Sequence, residues 1–216
     1  MRVFTLSEVF DNKAPVFDFD GEFFDAFDRP STTGIWFIWG KSGNGKTTFA
    51  LQLAKYLTQF GSVLYNSLEQ GASASMRRQL QQNHMLQCKT RFKLCCTQLE
   101  ELRSYLLKKR APRIVFLDSV QYLEGKSKDL LQLKQDFPKV LFIFVSQAEG
   151  QNPMGKKAND LMYAADLKIL VSAFTAASKG RFIGPKHFTI NNQLAEVYSG
   201  EIKQVTDEAY QLLQDF

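Results

Sequence analysis

Residues 40–48 read Gly40-Lys41-Ser42-Gly43-Asn44-Gly45-Lys46-Thr47-Thr48, and this spacing suits the cradling of a chain of phosphates. Gly40-x-x-x-x-Gly45-Lys46-Thr47 follows the G-x-x-x-x-G-K-[ST] pattern. Glycines reach backbone angles closed to other residues, so successive N–H groups can turn inward toward phosphate oxygens. A helix starting near Lys46 would point its positive end at the same anion. Lys46 is then placed to reach the β- and γ-phosphates, and the Thr47 hydroxyl to ligate Mg²⁺. Gly40 to Thr48 are therefore expected to bind ATP together with Mg²⁺.

Two carboxylates extend this chemistry. Arg113-Ile114-Val115-Phe116-Leu117-Asp118-Ser119 is an apolar strand ending in an acid. Beside a phosphate loop, such an Asp holds the Mg²⁺ shell; elsewhere it merely starts a turn. Hydrolysis also needs a group that orients or deprotonates water. Glu69 follows the strand-like run Val63 to Asn66. At the carboxyl end of a parallel strand it can face a γ-phosphate, or it can simply favour the start of a helix.

These groups need a scaffold, and the chain alternates in the way that builds one. Ile35 to Trp39 reads as a strand, and the phosphate loop follows it. A helix then runs to about Phe60, with Ala50, Leu53, Ala54 and Leu57 on one face and Gly61 as its stop. Val63 to Asn66, Phe92 to Cys96, Ile114 to Leu117, Val140 to Val145 and Leu167 to Val171 read as further strands. A polar helix covers Met76 to Leu80. Thr97-Gln98-Leu99-Glu100 has the form of a capping box, before a helix with Leu99, Leu102 and Leu106 on one face. The pattern predicts an α/β fold with a mostly parallel central sheet and helices on both faces. Residues 1–33 form an acidic, Phe-rich lead, 34–200 the core, and 201–216 an amphipathic C-terminal helix carrying Val205, Ala209, Leu212 and Phe216.

Composition narrows the function classes. The chain has 216 residues, enough for one domain. Its longest strand-like apolar run, Leu141 to Val145, is far short of a membrane span, and the N-terminus lacks a secretory apolar stretch. Cys88, Cys95 and Cys96 fit neither a disulfide framework nor paired zinc spacing, so a reduced, cytoplasmic setting is expected. Net charge is +5, but residues 1–30 hold three basic and seven acidic residues, leaving a body of about +9. A basic body is compatible with nucleic acid, or is a solvated surface.

Together these segments resemble the RecA-like P-loop ATPases, nearest to the ATPase cores of bacterial RadA (Sms) and of DnaB-type helicases, over residues 34–198. The resemblance implies a catalytic glutamate at Glu69. It identifies Phe116-Leu117-Asp118-Ser119-Val120-Gln121 as similar to the family's IDSIQ segment. Phe144-Val145-Ser146-Gln147 resembles the strand that ends in a γ-phosphate sensor, so Gln147 takes that role by resemblance. Lys179-Gly180-Arg181-Phe182-Ile183-Gly184 is similar to the family's K-x-R element. There Lys179 and Arg181 would reach the nucleotide of a neighbouring subunit, which implies a homo-oligomer, ring or filament. The zinc and protease-like modules of RadA and the N-terminal helical domain of DnaB have no counterpart in these residues, so a bare ATPase core is expected.

The family's activity implies ATP hydrolysis in DNA recombination, repair, replication or the DNA processing of phages and mobile elements, with DNA as the partner and single strands among its candidate forms. Residues 148–157 stand where the family places DNA-contacting loops. Lys156 and Lys157 could meet phosphates there, but no aromatic is present for base stacking. Phe23-Phe24-Asp25-Ala26 resembles the F-x-x-A polymerisation motif, yet these rings are better explained as capping their own subunit's sheet. Two rival readings remain. One is an ATP-dependent scaffold or switch with slow hydrolysis. The other is a P-loop kinase whose lid would use Arg77 and Arg78.

Overall fold

The uninterrupted apolar run Ile35 to Trp39 is stable only with both faces covered, and it forms the centre of β1 (Gly34–Gly40). The computed structural model describes residues 3–11, 15–180 and 186–197. Before β1 come α1 (Leu6–Asp11) and α2 (Gly21–Phe27); after it α3 (Lys46–Leu57), β2 (Val63–Ser67), α4 (Ala74–Gln82) and β3 (Phe92–Cys95). The chain continues through α5 (Leu99–Leu106), β4 (Ile114–Asp118), α6 (Ser127–Asp136), β5 (Leu141–Glu149), β6 (Asn152–Pro153) and α7 (Lys156–Ala164). β7 (Leu167–Ser172), β8 (Thr175–Gly180), β9 (Lys186–Thr189) and α8 (Asn192–Val197) complete the described elements.

The sheet order is β3-β2-β4-β5-β1-β7-β8-β9, with β6 paired to β5. From β3 to β7 every pairing is parallel; β8 and β9 are antiparallel additions. Period-two alternation sorts the side chains into two cores. Trp36, Ile38, Tyr65, Phe116 and Ile143 face Phe49, Leu53 and Leu57 of α3 and Met76 of α4. Ile35, Phe37, Trp39, Val115 and Phe142 face α5, α6 and α7 through Leu102, Leu130, Leu133 and Leu161. The expected α/β sheet with helices on both faces is therefore present.

The Phe-rich lead packs on its own chain. Phe23 stacks on Tyr56 at 4.1 Å and on Phe188 at 4.7 Å between ring centroids. Ala26 and Phe27 are buried. Tyr56 donates to the Asp20 carboxylate at 2.6 Å, and the Asp20 N–H donates back to the Tyr56 hydroxyl at 2.7 Å. The F-x-x-A residues are thus committed within the chain.

Several local expectations are corrected. The Thr97/Glu100 capping box does not form: Gln98 is the N-cap of α5 and makes no side-chain cap bond, while the Thr97 hydroxyl pairs with Glu101 one residue further on. Asn66 explains the shift, since its carboxamide accepts from Thr97 N–H at 2.9 Å and donates to Thr97 C=O at 2.8 Å. α3 ends at Leu57, and 58–60 continue only as hydrogen-bonded turn. β5 runs on to Glu149 because it turns back into β6. The 201–216 helix lies outside the described residues.

Candidate active site

The phosphate loop joins β1 to α3, as the sequence pattern requires. Its three glycines serve different ends. Gly43 and Gly45 have φ of 79° and 93°, angles that favour glycine. Gly40 has no such angle, but a Cβ there would stand 2.0 Å from the Val171 carbonyl oxygen. It is required by the close approach of β7, a reason the sequence alone did not supply. Lys41, Ser42 and Gly43 are exposed, and Asn44 to Thr48 are half-buried. Lys46 Nζ donates to the Lys41 carbonyl at 2.8 Å. Burial lowers the Lys46 pKa, while the carboxylates of Asp118 and Glu69 oppose that shift.

Strand order brings the other candidates to the same edge. β5 lies between β1 and β4, with Gly40 paired to Gln147 and Asp118 to Val145. Ser67 at the end of β2 is paired with Asp118. The Asp118 carbonyl accepts from Leu68 N–H at 2.7 Å and Glu69 N–H at 3.4 Å, which ties the Glu69 turn to the end of β4. Gln147 Nε2 donates to Glu69 Oε1 at 3.4 Å. Four neighbouring strands thus deliver Lys46, Gln147, Asp118 and Glu69 to one carboxyl edge, where ligands of open parallel sheets bind.

Asp118 is 5% exposed. Burial pushes its pKa up to about 6; a hydrogen bond from Tyr65 and the Lys46 charge pull down, and Glu69 pushes up. The Tyr65 hydroxyl donates to Asp118 Oδ2 at 2.6 Å, and its own pKa rises well above the usual value, mainly through burial. Beside this carboxylate the buried hydroxyls of Ser67 and Ser119 have no hydrogen-bond partner.

Two supporting residues were missed as such. Tyr65 follows the apolar Val63 and Leu64 in β2, two positions before Ser67. Gln121 enters the sequence pattern only as the last residue of the Phe116–Gln121 segment. Its Nε2 donates to Ser146 Oγ at 2.8 Å and to Met154 C=O at 3.1 Å, and its Oε1 accepts from Gln147 N–H at 3.3 Å. It therefore fixes the end of β5 and the loop beyond.

The remaining candidates do not join this group. Lys179 pairs with Lys168 near the start of β7, whereas Ser172 at the other end pairs with Thr175 beside the phosphate loop. Those four residue steps put the Lys179 backbone about 13 Å back along the sheet, toward its opposite edge. Arg181 lies outside the described residues. In the 148–157 loop, Lys156 is exposed, but Lys157 Nζ donates to the Leu123 carbonyl at 2.6 Å. Lys157 thus spends one of its three ammonium donors within the chain. Trp39 Nε1 holds the same loop by donating to Gln151 C=O at 2.9 Å.

A phosphate loop on a parallel sheet, with an acid on the strand two positions away, defines a P-loop ATPase. An AAA domain model matches residues 28–150, more than half of the chain, and the chain belongs to that family. The ATPase domain of G40P has a similar structure, with a TM-score of 0.54 and 18% identity over 72% of this chain and 80% of that one. A KaiC-like protein of the hyperthermophilic archaeon Pyrococcus horikoshii OT3 gives a TM-score of 0.53 and 17% identity, over 71% and 83% of the two chains. Both likenesses support the RecA-like fold. No curated protein matches the sequence. Among the described residues no helix is long and apolar enough to cross a membrane.

Proposed function

We propose that the chain hydrolyses ATP with magnesium as a member of a homo-oligomer, ring or filament, and that this turnover serves DNA recombination, repair, replication or mobile-element processing. The observation that carries the reading is the convergence of Lys46, Glu69, Asp118 and Gln147 at the carboxyl ends of adjacent strands. Magnesium fits these donors. Mg²⁺ keeps several waters and is held by one or two carboxylates plus substrate phosphates. Asp118 and Thr47 are the protein groups that would hold it, and the unsatisfied hydroxyls of Ser67 and Ser119 suit a water shell beside Asp118.

Loop N–H groups and the α3 N-terminus receive the phosphates. Lys46 leaves the Lys41 carbonyl for the β- and γ-phosphate oxygens. The metal, when bound, neutralises charge that develops on those oxygens. Glu69, exposed and tethered through its backbone to Asp118, takes a proton from the attacking water. Gln147 senses the γ-phosphate by exchanging Glu69 for a phosphate oxygen. Lys179, remote from its own loop by register, is suited to serve a neighbour's nucleotide together with Arg181.

The DNA assignment rests on the basic body of the chain and on the family resemblance. ATP turnover measured with and without single- and double-stranded DNA, alongside light scattering, tests it. The expected result is an oligomer whose turnover rises with DNA. A monomer indifferent to DNA would instead favour an ATP-dependent switch with slow hydrolysis. That second reading draws support from Lys157, whose ammonium is already engaged by Leu123. Arg77 and Arg78 are exposed on α4, a helix pinned by buried Met76, so a mobile kinase lid gains no support.

A further inference from the structure

The two-residue turn between β7 and β8 is built from residues ill suited to it. Ser172 pairs with Thr175, so Ala173 and Phe174 alone make the turn. Both are left-handed, with φ of 45° and 57°. Such hairpin turns normally take Asn-Gly or Gly-Gly, because a Cβ is penalised at these angles. Strain of this kind persists only where the surroundings over-determine it.

The surroundings are the phosphate loop. Asn44 Oδ1 accepts from Ala173 N–H at 2.9 Å, and Asn44 C=O accepts from Phe174 N–H at 3.3 Å. Asn44 Nδ2 donates to Ser42 C=O at 3.1 Å, which spans the loop. The Phe174 ring lies against Gly45, where an added Cβ would come within 2.9 Å of its Cδ1. Phe174 C=O in turn accepts from Ile190 N–H at 2.8 Å, and Ile190 C=O accepts from Gln52 Nε2 of α3 at 3.1 Å. The turn is therefore held between the loop and the helix that the loop begins.

We propose that Phe174 is a positioning residue for nucleotide binding: latched to Asn44, the Ala173–Phe174 turn braces the phosphate loop from outside and keeps it in the shape that receives phosphates. The brace touches no reacting atom. It acts on how much ordering the loop must undergo when phosphates arrive, so it affects affinity rather than the chemical step. The asparagine in the loop is needed for its side-chain acceptor, which turns toward β7 and β8. This inference rests on the phosphate-loop reading.

The test is a titration with Mg-ATP, reading both the dissociation constant and steady-state kcat and KM. For Phe174→Ala, KM and the dissociation constant rise about tenfold while kcat stays within about twofold. Phe174→Leu, which keeps an apolar side chain against Gly45, recovers most of the affinity. Asn44→Ala resembles Phe174→Ala, and the double variant is little worse than either, as expected of a single unit. Unchanged affinity in Phe174→Ala, or a loss confined to kcat, overturns the proposal, as does full additivity in the double variant. Asn44 itself belongs to the phosphate loop, so Asn44→Ala counts only through the double variant, and Phe174→Leu beside Phe174→Val decides the matter if Phe174→Ala folds poorly: affinity that does not follow the apolar contact with Gly45 overturns the brace. Lys46→Ala separates the two readings: if it binds ATP like wild type, the phosphate-loop reading itself fails. If it does not bind while both latch variants do so normally, only the brace fails.

Discussion

Asp118 accepts a hydrogen bond from Tyr65, and burial pushes its pKa up to about 6, against an ordinary value of 3.8. The fold thus favours the neutral acid. That contribution to stability is complete below the ordinary value and is lost as pH rises through about 6. Above about pH 7, holding the carboxylate ionised costs on the order of 3 kcal/mol at most. Asp118→Asn keeps an acceptor for Tyr65 without the charge. In metal-free and nucleotide-free protein, urea melts should show this variant more stable than wild type near neutral pH and similar to it near pH 4. Equal stability at both pH values would mean that Asp118 carries no such burden. The same substitution should abolish turnover, because the group that destabilises the fold is the one suited to Mg²⁺.

At the scale of elements, the polar ends of strands matter more than their apolar centres. The apolar runs located the core strands to within a residue or two, since a run covered on both faces has few other fates. The apolar run stops at Val145, four residues before the end of β5, because Ser146 is polar although buried and Gln147 to Glu149 are progressively exposed, so apolarity no longer marks the strand. β8, reading Thr-Ala-Ala-Ser-Lys-Gly, has no apolar side chain larger than alanine and so carries no strand signal. Its Ser178 hydroxyl donates to the Ala26 carbonyl at 2.8 Å, a long-range contact with no local signature. Asp118, Glu69 and the phosphate loop were legible as types at spacings. Tyr65 and Gln121 were not, because their roles depend on β4 lying between β2 and β5. The Glu69 turn is anchored downstream by α4, whose N-cap Ser73 accepts from Met76 N–H at 3.2 Å. Ser73→Ala should cost about 1 kcal/mol of stability in a denaturant melt. No measurable loss would show that buried Met76 alone holds the helix start.

For the whole molecule, the candidate residues Lys46, Glu69, Asp118 and Gln147 share one edge of the sheet, and the strand register carries Lys179 away from it. If neighbouring copies complete one another, the defects of Lys46→Ala and Lys179→Ala belong to different partners at each interface. Mixing the two inactive proteins should then restore a fraction of wild-type turnover, and failure of every mixing ratio would argue for a site complete within one chain. The remaining question is whether the carboxyl edge of the sheet is where ATP is cleaved, and Glu69→Gln asks it most directly. ATP binding and single-turnover hydrolysis are measured on this variant beside wild type. Binding should stay within a few-fold, and hydrolysis should fall by about 100-fold or more, the usual contribution of a positioned base. Hydrolysis at the wild-type rate would contradict the assignment of Glu69, and with it the mechanism built around the phosphate loop.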